Sequence, residues 1–485
     1  MSSNRNETPA LLVSLLVTVA LIAALGTWLW PRLFPSTSSP TSQPNSGSSQ
    51  PNSGNSSESS PPSGDRNPAS GRLSRGEQIL ISENASALKQ TGVEAIAAAD
   101  YGRGVSLLES ALKENRNDPE ALIYLSNARI ATDQAYTIAV AVPIETALNP
   151  ALEILRGVAQ AQSEINQAGG INGMPLRVVI ADDGETSADT EQIANDLVSE
   201  SDVLAVIGHF GSSATLETAP TYTQGELPLI SATSTSVALS GVSKYVFRTT
   251  PSDRFAATAL ARYMLNDLQQ QKAAVFFNSE SDYSNSLKDE FTTAVFSDGG
   301  QIVGEFDLVD ANFDAAAAVN QLKSQGAEVM MLAANTPTLD LAIAVIEAND
   351  GDLAMLGGDS LYNPEVLSVG AAAADLVVAI PWHILANPQA DFAQSSRSLW
   401  GGDVSWRSAT AYDATKAIAA ALAADAAPTR QTLQAALSSG TFSAEGATSE
   451  VRFLPSGDRN QASQLVIVEP GTRSGRGYDF VPVTP

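Results

Sequence analysis

The chain has 485 residues, 44% of them hydrophobic and 16% charged, which suits a globular protein with a large core and room for more than one domain. Its formal net charge of −26, with no Lys/Arg cluster to offset it, argues against nucleic acid or an anionic membrane surface as partner. No cysteine is present, so disulfides, thiolate metal sites, cysteine nucleophiles and a lipid-modified cysteine are all excluded.

Residues 1–8 form a short N-terminal region. Pro9 to Trp30, PALLVSLLVTVALIAALGTWLW, carries no charge. A helix needs about 20 apolar residues to cross a bilayer, and Trp28 and Trp30 suit its interfacial belt. The stretch predicts a single transmembrane anchor over 9–30. The alternative, a cleaved signal peptide, would have a shorter core and a small-residue cleavage site. Residues 31–71 read as a disordered linker. Ser36 to Gly64 is nearly all Ser, Pro, Asn, Gly and Gln, with too little apolar surface to fold.

Residues 72–135 are helical in pattern: a helix, a turn at Asp100–Gly102, a second helix to about Asn115, and a third after Pro119. Gly92, Tyr101, Gly104, Leu108 and Ala111 fall at spacings that resemble a tetratricopeptide repeat. One repeat is too little for a solenoid groove. Two readings stay open: a small helical spacer packed on itself or on the next domain, and a docking site for a partner protein.

From Tyr136 onward strands and helices alternate. TIAVAV, LRVVIAD, VLAVIG, KAAVFFN, QIVGEFD, AEVMMLAA, LAMLGGD and DLVVAIP are apolar runs separated by amphipathic stretches. This pattern predicts an α/β fold with parallel sheets covered on both faces. Two strand-to-helix corners stand out. The run Val203–Ile207 breaks at Gly208 and leads to Ser212 and Ser213. The run Leu227–Ile230 breaks into Ser231, Thr233, Ser234 and Thr235. In open α/β sheets ligands bind at the carboxyl ends of strands, and a helix start offers free N–H groups to an anion. No Lys or Arg lies between Val203 and Ser243. The two corners therefore predict a carboxylate site made of hydroxyls and main-chain N–H groups. Read alone, Ser212 fits an ordinary helix cap better than a ligand site.

The segments IGHFGSSAT, LPLISATST and YVFRTTPSD resemble the leucine/isoleucine/valine-binding family of type I periplasmic binding proteins, which serve ABC importers. NPALEILRGVAQAQSEINQAGGINGMPLRVVIADD and AYDATKAIAAAL extend the likeness from about Tyr136 to the C-terminus. The resemblance implies a two-lobed fold, two doubly wound parallel sheets joined by a three-strand hinge. It places lobe one at about 136–252 plus 383–444, and lobe two at about 253–382 plus 445–485. It also implies ligand-binding roles for Ser212, Thr233, Ser234 and Thr235 on lobe one, and for Tyr283 and Asp359 on lobe two. Asp359 would take the ligand's ammonium. Trp382 is a candidate for the pocket or the hinge. A second family tyrosine would fall near Asn335–Thr336–Pro337, where this chain has none, and that departure touches branched-chain selectivity.

These features predict a membrane-tethered, extracytoplasmic solute-binding protein for an amino acid or similar small polar solute. Its partners would be ABC permease subunits, and the resemblance puts the C-terminal domain in the periplasm, held at the inner membrane by the N-terminal helix. The competing reading is a ligand-binding sensor that signals to a separate protein. No cofactor, metal or catalytic residue is expected. The chain has no GxGxxG after a strand, no GxxxxGK[ST] and no GxSxG. His209 reads as a satisfied corner histidine, and Asp182–Asp183 as a turn and cap.

Overall fold

The computed structural model describes residues 71–184 and 186–483. The anchor predicted at 9–30 lies outside them, as does the linker except for Gly71. Among the described residues no helix is long and apolar enough to cross a membrane.

Strand β1 (Leu73–Ser74) is followed by helices α1 (Ala87–Ala97), α2 (Tyr101–Glu114) and α3 (Pro119–Ile130). Ser86, Asp100 and Asp118 cap the three helices, and Pro119 opens the third. Helices α1 and α2 cross closely at Gly92 and Gly104. A Cβ on Gly104 would stand 2.7 Å from the Ile96 side chain, which accounts for the small residues in the repeat-like spacing. In α3 every residue except Arg129 is buried. Glu120, fully buried, accepts from the Leu80 N–H at 2.7 Å and the Tyr124 hydroxyl at 2.9 Å, and pairs with Lys89 at 2.7 Å. Burial and paired charges of this kind bind the segment into one body.

The α/β part begins with β2 (Tyr136–Val142), α4 (Leu148–Gln167), β3 (Leu176–Asp182), α5 (Ser187–Ser199), β4 (Val203–Ile207), α6 (Ser212–Gln224), β5 (Leu229–Ser231) and β6 (Val246–Arg248). The first sheet has the order β1-β3-β2-β4-β5-β6. Its β1–β3 pair is antiparallel, with Leu73 opposite Ala181. Just beyond the end of β1, the side-chain amide of Asn127 on α3 takes over. It accepts from the Val178 N–H at 3.1 Å and donates to the Val178 carbonyl at 2.7 Å. The helical segment thus packs on itself and completes the edge of the first sheet.

The second sheet takes up α7 (Asp253–Arg262), β7 (Lys272–Phe277), α8 (Asp282–Ser297), β8 (Gln301–Asp307), α9 (Ala315–Ser324), β9 (Val329–Ala333), α10 (Leu339–Asn349), β10 (Ala354–Gly357), α11 (Pro364–Ser368) and β11 (Val377–Ile380). The chain then returns to the first lobe with α12 (Asp391–Trp400), α13 (Trp406–Ala423) and α14 (Arg430–Leu437). It ends in the second sheet with β12 (Gln464–Pro470) and β13 (Tyr478–Pro482). The order is β13-β12-β11-β10-β9-β7-β8.

Three expectations need correction. Both sheets are mixed, not purely parallel: β1 runs antiparallel to β3 in the first, and β12 antiparallel to β11 and to β13 in the second. The C-terminal run alternates in burial and closes an edge as a hairpin, so it needs no crossover helix. Secondly, the change of lobe expected at 445 comes later. Asp458 pairs with Arg248 at 2.7 Å, and Arg459 pairs with Asp413 of α13 at 2.5 Å, so this stretch is held by the first lobe until the chain enters β12. Thirdly, the three crossings are not strands paired by backbone bonds. Side chains tie them together: Arg459 donates to the Thr249 carbonyl at 3.2 Å, Gln461 to the Pro381 carbonyl at 3.1 Å, and the His383 N–H to Gln464 at 2.8 Å.

Candidate functional site

The carboxyl ends of the strands in both sheets face a common cleft, a cavity of about 240 Å³. Its volume lies below the ~300–1,000 Å³ of drug-sized sites, so it suits a solute of amino-acid size. From the first lobe it is lined by Gly211, Ser212, Ser213 and Ala214 at the start of α6, and by Phe210, Thr233, Trp406 and Arg407. From the second lobe it is lined by Ser281, Tyr283, Asn335, Thr336, Asp359 and Ser360. The first turn of α6 lines this space, and a helix start leaves its N–H groups without intrahelical partners.

The lobes touch across the cleft. The Asp282 N–H donates to the Ser213 hydroxyl at 3.2 Å, and the Val237 N–H to the Ser286 hydroxyl at 3.0 Å. Arg407, on α13, donates to the carbonyls of Asp359 at 3.3 Å and Tyr362 at 3.4 Å.

Of the seven residues singled out from sequence, Ser212, Thr233, Tyr283 and Asp359 come together in this cavity. The other three do not line it. Ser212 is buried, and its hydroxyl accepts from the Ser236 N–H at 3.2 Å, which ties the two corners together. The Thr233 hydroxyl donates to the Phe210 carbonyl at 2.8 Å. Ser234 stands behind the corner, its hydroxyl 2.8 Å from that of Thr215 and 3.2 Å from the His209 carbonyl. Thr235 is buried, and its carbonyl accepts from the Asp253 N–H at 2.8 Å and from Arg248 at 2.8 Å. The hydroxyls of Thr233 and Ser234 thus brace the loop. Trp382 packs edge-on against Phe392, with ring centroids 5.6 Å apart, in the apolar core. Immediately after β11 the chain turns back to the first lobe and carries the indole with it.

Burial shapes the charges. Asp359 is pushed up to about 7 by burial, against the opposing pull of Arg407. Asp253, behind Thr235, is pushed up to about 6 by burial, with Ser286 and Thr235 pulling the other way. Burial also raises the Tyr283 phenol well above its ordinary value, and the neighbouring Asp359 adds to it. Beneath the first corner, Asp183 holds His209 at 2.6 Å, and the other ring nitrogen of His209 lies 2.9 Å from the Tyr222 hydroxyl. The corner histidine is satisfied, and Asp183 is its partner as well as the end of a turn. Among the described residues no cluster of His, Cys, Asp and Glu has the arrangement of a metal site.

Arg407 and Trp406 were missed. They lie far along the chain from the corners, shortly before the quoted AYDATKAIAAAL, which begins at Ala411. The available signal was a Trp–Arg pair opening a helix that is otherwise small and apolar.

A family model described as periplasmic binding protein matches residues 136–472. The chain belongs to the periplasmic binding protein family. This is a non-enzymatic, solute-binding family. An amino acid binding protein of Pseudomonas aeruginosa is 32% identical over 177 residues, 36% of this chain and 47% of that protein. A leucine-, isoleucine-, valine-, threonine- and alanine-binding protein of the same organism is 26% identical over 226 residues, 46% of this chain and 60% of that protein. The chain thus spans about half the length of the curated relatives it matches. Among solved structures, a leucine-binding protein of Thermotoga maritima superposes with a TM-score of 0.64 at 22% identity, covering 72% of this chain and 99% of that one. That likeness speaks for the fold: two α/β lobes around a cleft, as found here.

Proposed function

We propose that this periplasmic binding protein captures an amino acid or similar small polar solute by lobe closure and presents it to the permease of an ABC importer. The observation that carries the reading is the cleft itself. Ser212 and Thr233 on one lobe meet Tyr283 and Asp359 on the other around a small cavity. The start of α6 supplies neutral donors for a carboxylate. Asp359, ionised, supplies the partner for an ammonium, and such a pair is stronger in a closed, partly dry cleft than on a surface. Closure brings these halves together about the side-chain-linked crossings.

In the same reading, residues 9–30 anchor the chain in the inner membrane, and residues 31–71 act as a tether to the extracytoplasmic part. Tethering keeps loaded protein near its permease and raises the effective concentration there. The affinity of relatives for amino acids, as their names state, supports the solute class. The test is a thermal-shift screen of the full-length chain against the standard amino acids, short amides, urea and short peptides. Binding to the folded state raises its melting temperature with dose. An amino acid should do so while its carboxyl amide does not. Equal shifts with acid and amide would overturn the carboxylate reading of the α6 corner.

A further inference from the structure

Arg407 stands in an unusual position for a guanidinium. It is only 6% exposed, and among the described residues no carboxylate oxygen lies within 4.0 Å of it. Its two hydrogen bonds, to the Asp359 and Tyr362 carbonyls, are long at 3.3 and 3.4 Å. Its Nε has no hydrogen-bond partner, nor has Nε1 of the adjoining Trp406. A guanidinium carries five N–H donors, so most of this fork is unspent. Its Cζ lies over the Trp406 ring, 4.4 Å from the centroid, a contact that helps hold it in place. Both side chains line the cleft. The carboxylates of Asp359 and Glu153 attract the guanidinium only from beyond ion-pair distance; a buried charge is costly without a close partner, and one brought by the ligand offsets that cost.

We propose that the solute of this cleft is an acidic amino acid, whose side-chain carboxylate pairs with Arg407. The inference rests on reading the cleft as an amino-acid site. In it the α-carboxylate meets the start of α6, the ammonium meets Asp359, and the distal carboxylate meets the Arg407 fork, a planar match that a guanidinium makes bidentately. An apolar side chain at this end would leave Arg407 buried with no carboxylate at ion-pair distance. The cleft therefore discriminates against leucine and its kin through that unmet donor set.

Calorimetry on the full-length chain with glutamate, aspartate, glutamine, leucine and glutarate tests this. Glutamate or aspartate should bind roughly thirtyfold or more tightly than glutamine or leucine, the loss expected when one side of a buried charge pair is missing. Arg407→Gln should erase that preference, with the variant's melting curve checked for folding. Glutamine or leucine binding as tightly as the acids would overturn the inference while leaving the amino-acid reading intact. Glutarate binding as tightly as glutamate would support Arg407 as the acid's partner and overturn the role of Asp359 as the ammonium's. A chain that takes none of these five overturns the inference, and the wider screen then decides the fate of the amino-acid reading.

Discussion

Asp359 is the side chain through which pH reaches this cleft. Burial holds its proton to about 7, and that of Asp253 to about 6, whereas both would ionise near 4 in an unfolded chain. The folded state therefore binds more protons than the unfolded one over that window. Stability of the unliganded protein should fall as pH rises between about 4 and about 7, and melting curves at several pH values read this directly. Ligand affinity should move the other way. An ammonium needs the ionised carboxylate, so affinity should climb with pH and level off above about 7. Asp359→Asn should weaken binding by about 2–5 kcal/mol and flatten the slope. A slope that survives in the variant assigns it to another group. Ser212→Ala removes a hydroxyl that holds the Ser236 N–H, so it costs about 1–3 kcal/mol of affinity through the loosened second corner. Calorimetry on this variant should show that loss. How legible these residues were follows from distance along the chain. Ser212 was legible because small hydroxyl residues at a strand-to-helix corner have a local cause. Arg407 was not, because only the return of α13 to the cleft brings it beside Asp359.

At the scale of elements, apolar runs revealed the parallel strands because the central ones are buried on both faces, as Val203–Ile207 nearly is throughout, whereas the edge strand Gln301–Asp307 has no buried residue. They did not reveal where the chain changes lobe. The stretch around Asp458 and Arg459 is polar, and its allegiance is decided by Arg248 and Asp413, two partners remote in sequence. Trp382 shows the same limit: its neighbours in sequence form a strand of the second sheet, yet its ring packs on Phe392 of α12. One close crossing makes a sharp prediction. Helices α4 and α13 meet at Gly157, where an added Cβ would overlap the Ser408 carbonyl and approach the Tyr412 N–H to 2.7 Å. Backbone on both sides leaves nothing flexible to move. Gly157→Ala should therefore destabilise the protein by about 1–3 kcal/mol, measured by denaturant unfolding. It should also disturb ligand affinity, because α13 carries Arg407. Unchanged stability would mean that the two helices can part without cost.

For the whole molecule, the boundary drawn by family likeness and the boundary drawn by physics differ. The family model begins at residue 136, yet the edge of the first sheet is finished by residues 73–74 and by Asn127. A chain starting at Gly71 should fold and bind as the full chain does. One starting at Tyr136 should lose stability and solubility, and comparing the two by melting and by size-exclusion chromatography checks this. Equal behaviour would show that the helical segment is dispensable.

Asn127 has a consequence for how copies of this protein behave together. By answering both backbone groups of Val178 with one amide, it occupies the place that a strand from another molecule would take. Open strand edges are templates for such pairing. The amide is thus a guard against self-association. Asn127→Leu keeps the bulk and removes both bonds to Val178, along with those to the Arg75 carbonyl and from the Gln162 amide. That variant should show concentration-dependent association in light scattering before it shows any loss of ligand binding, since the guarded edge and the cleft lie at different places on the sheet.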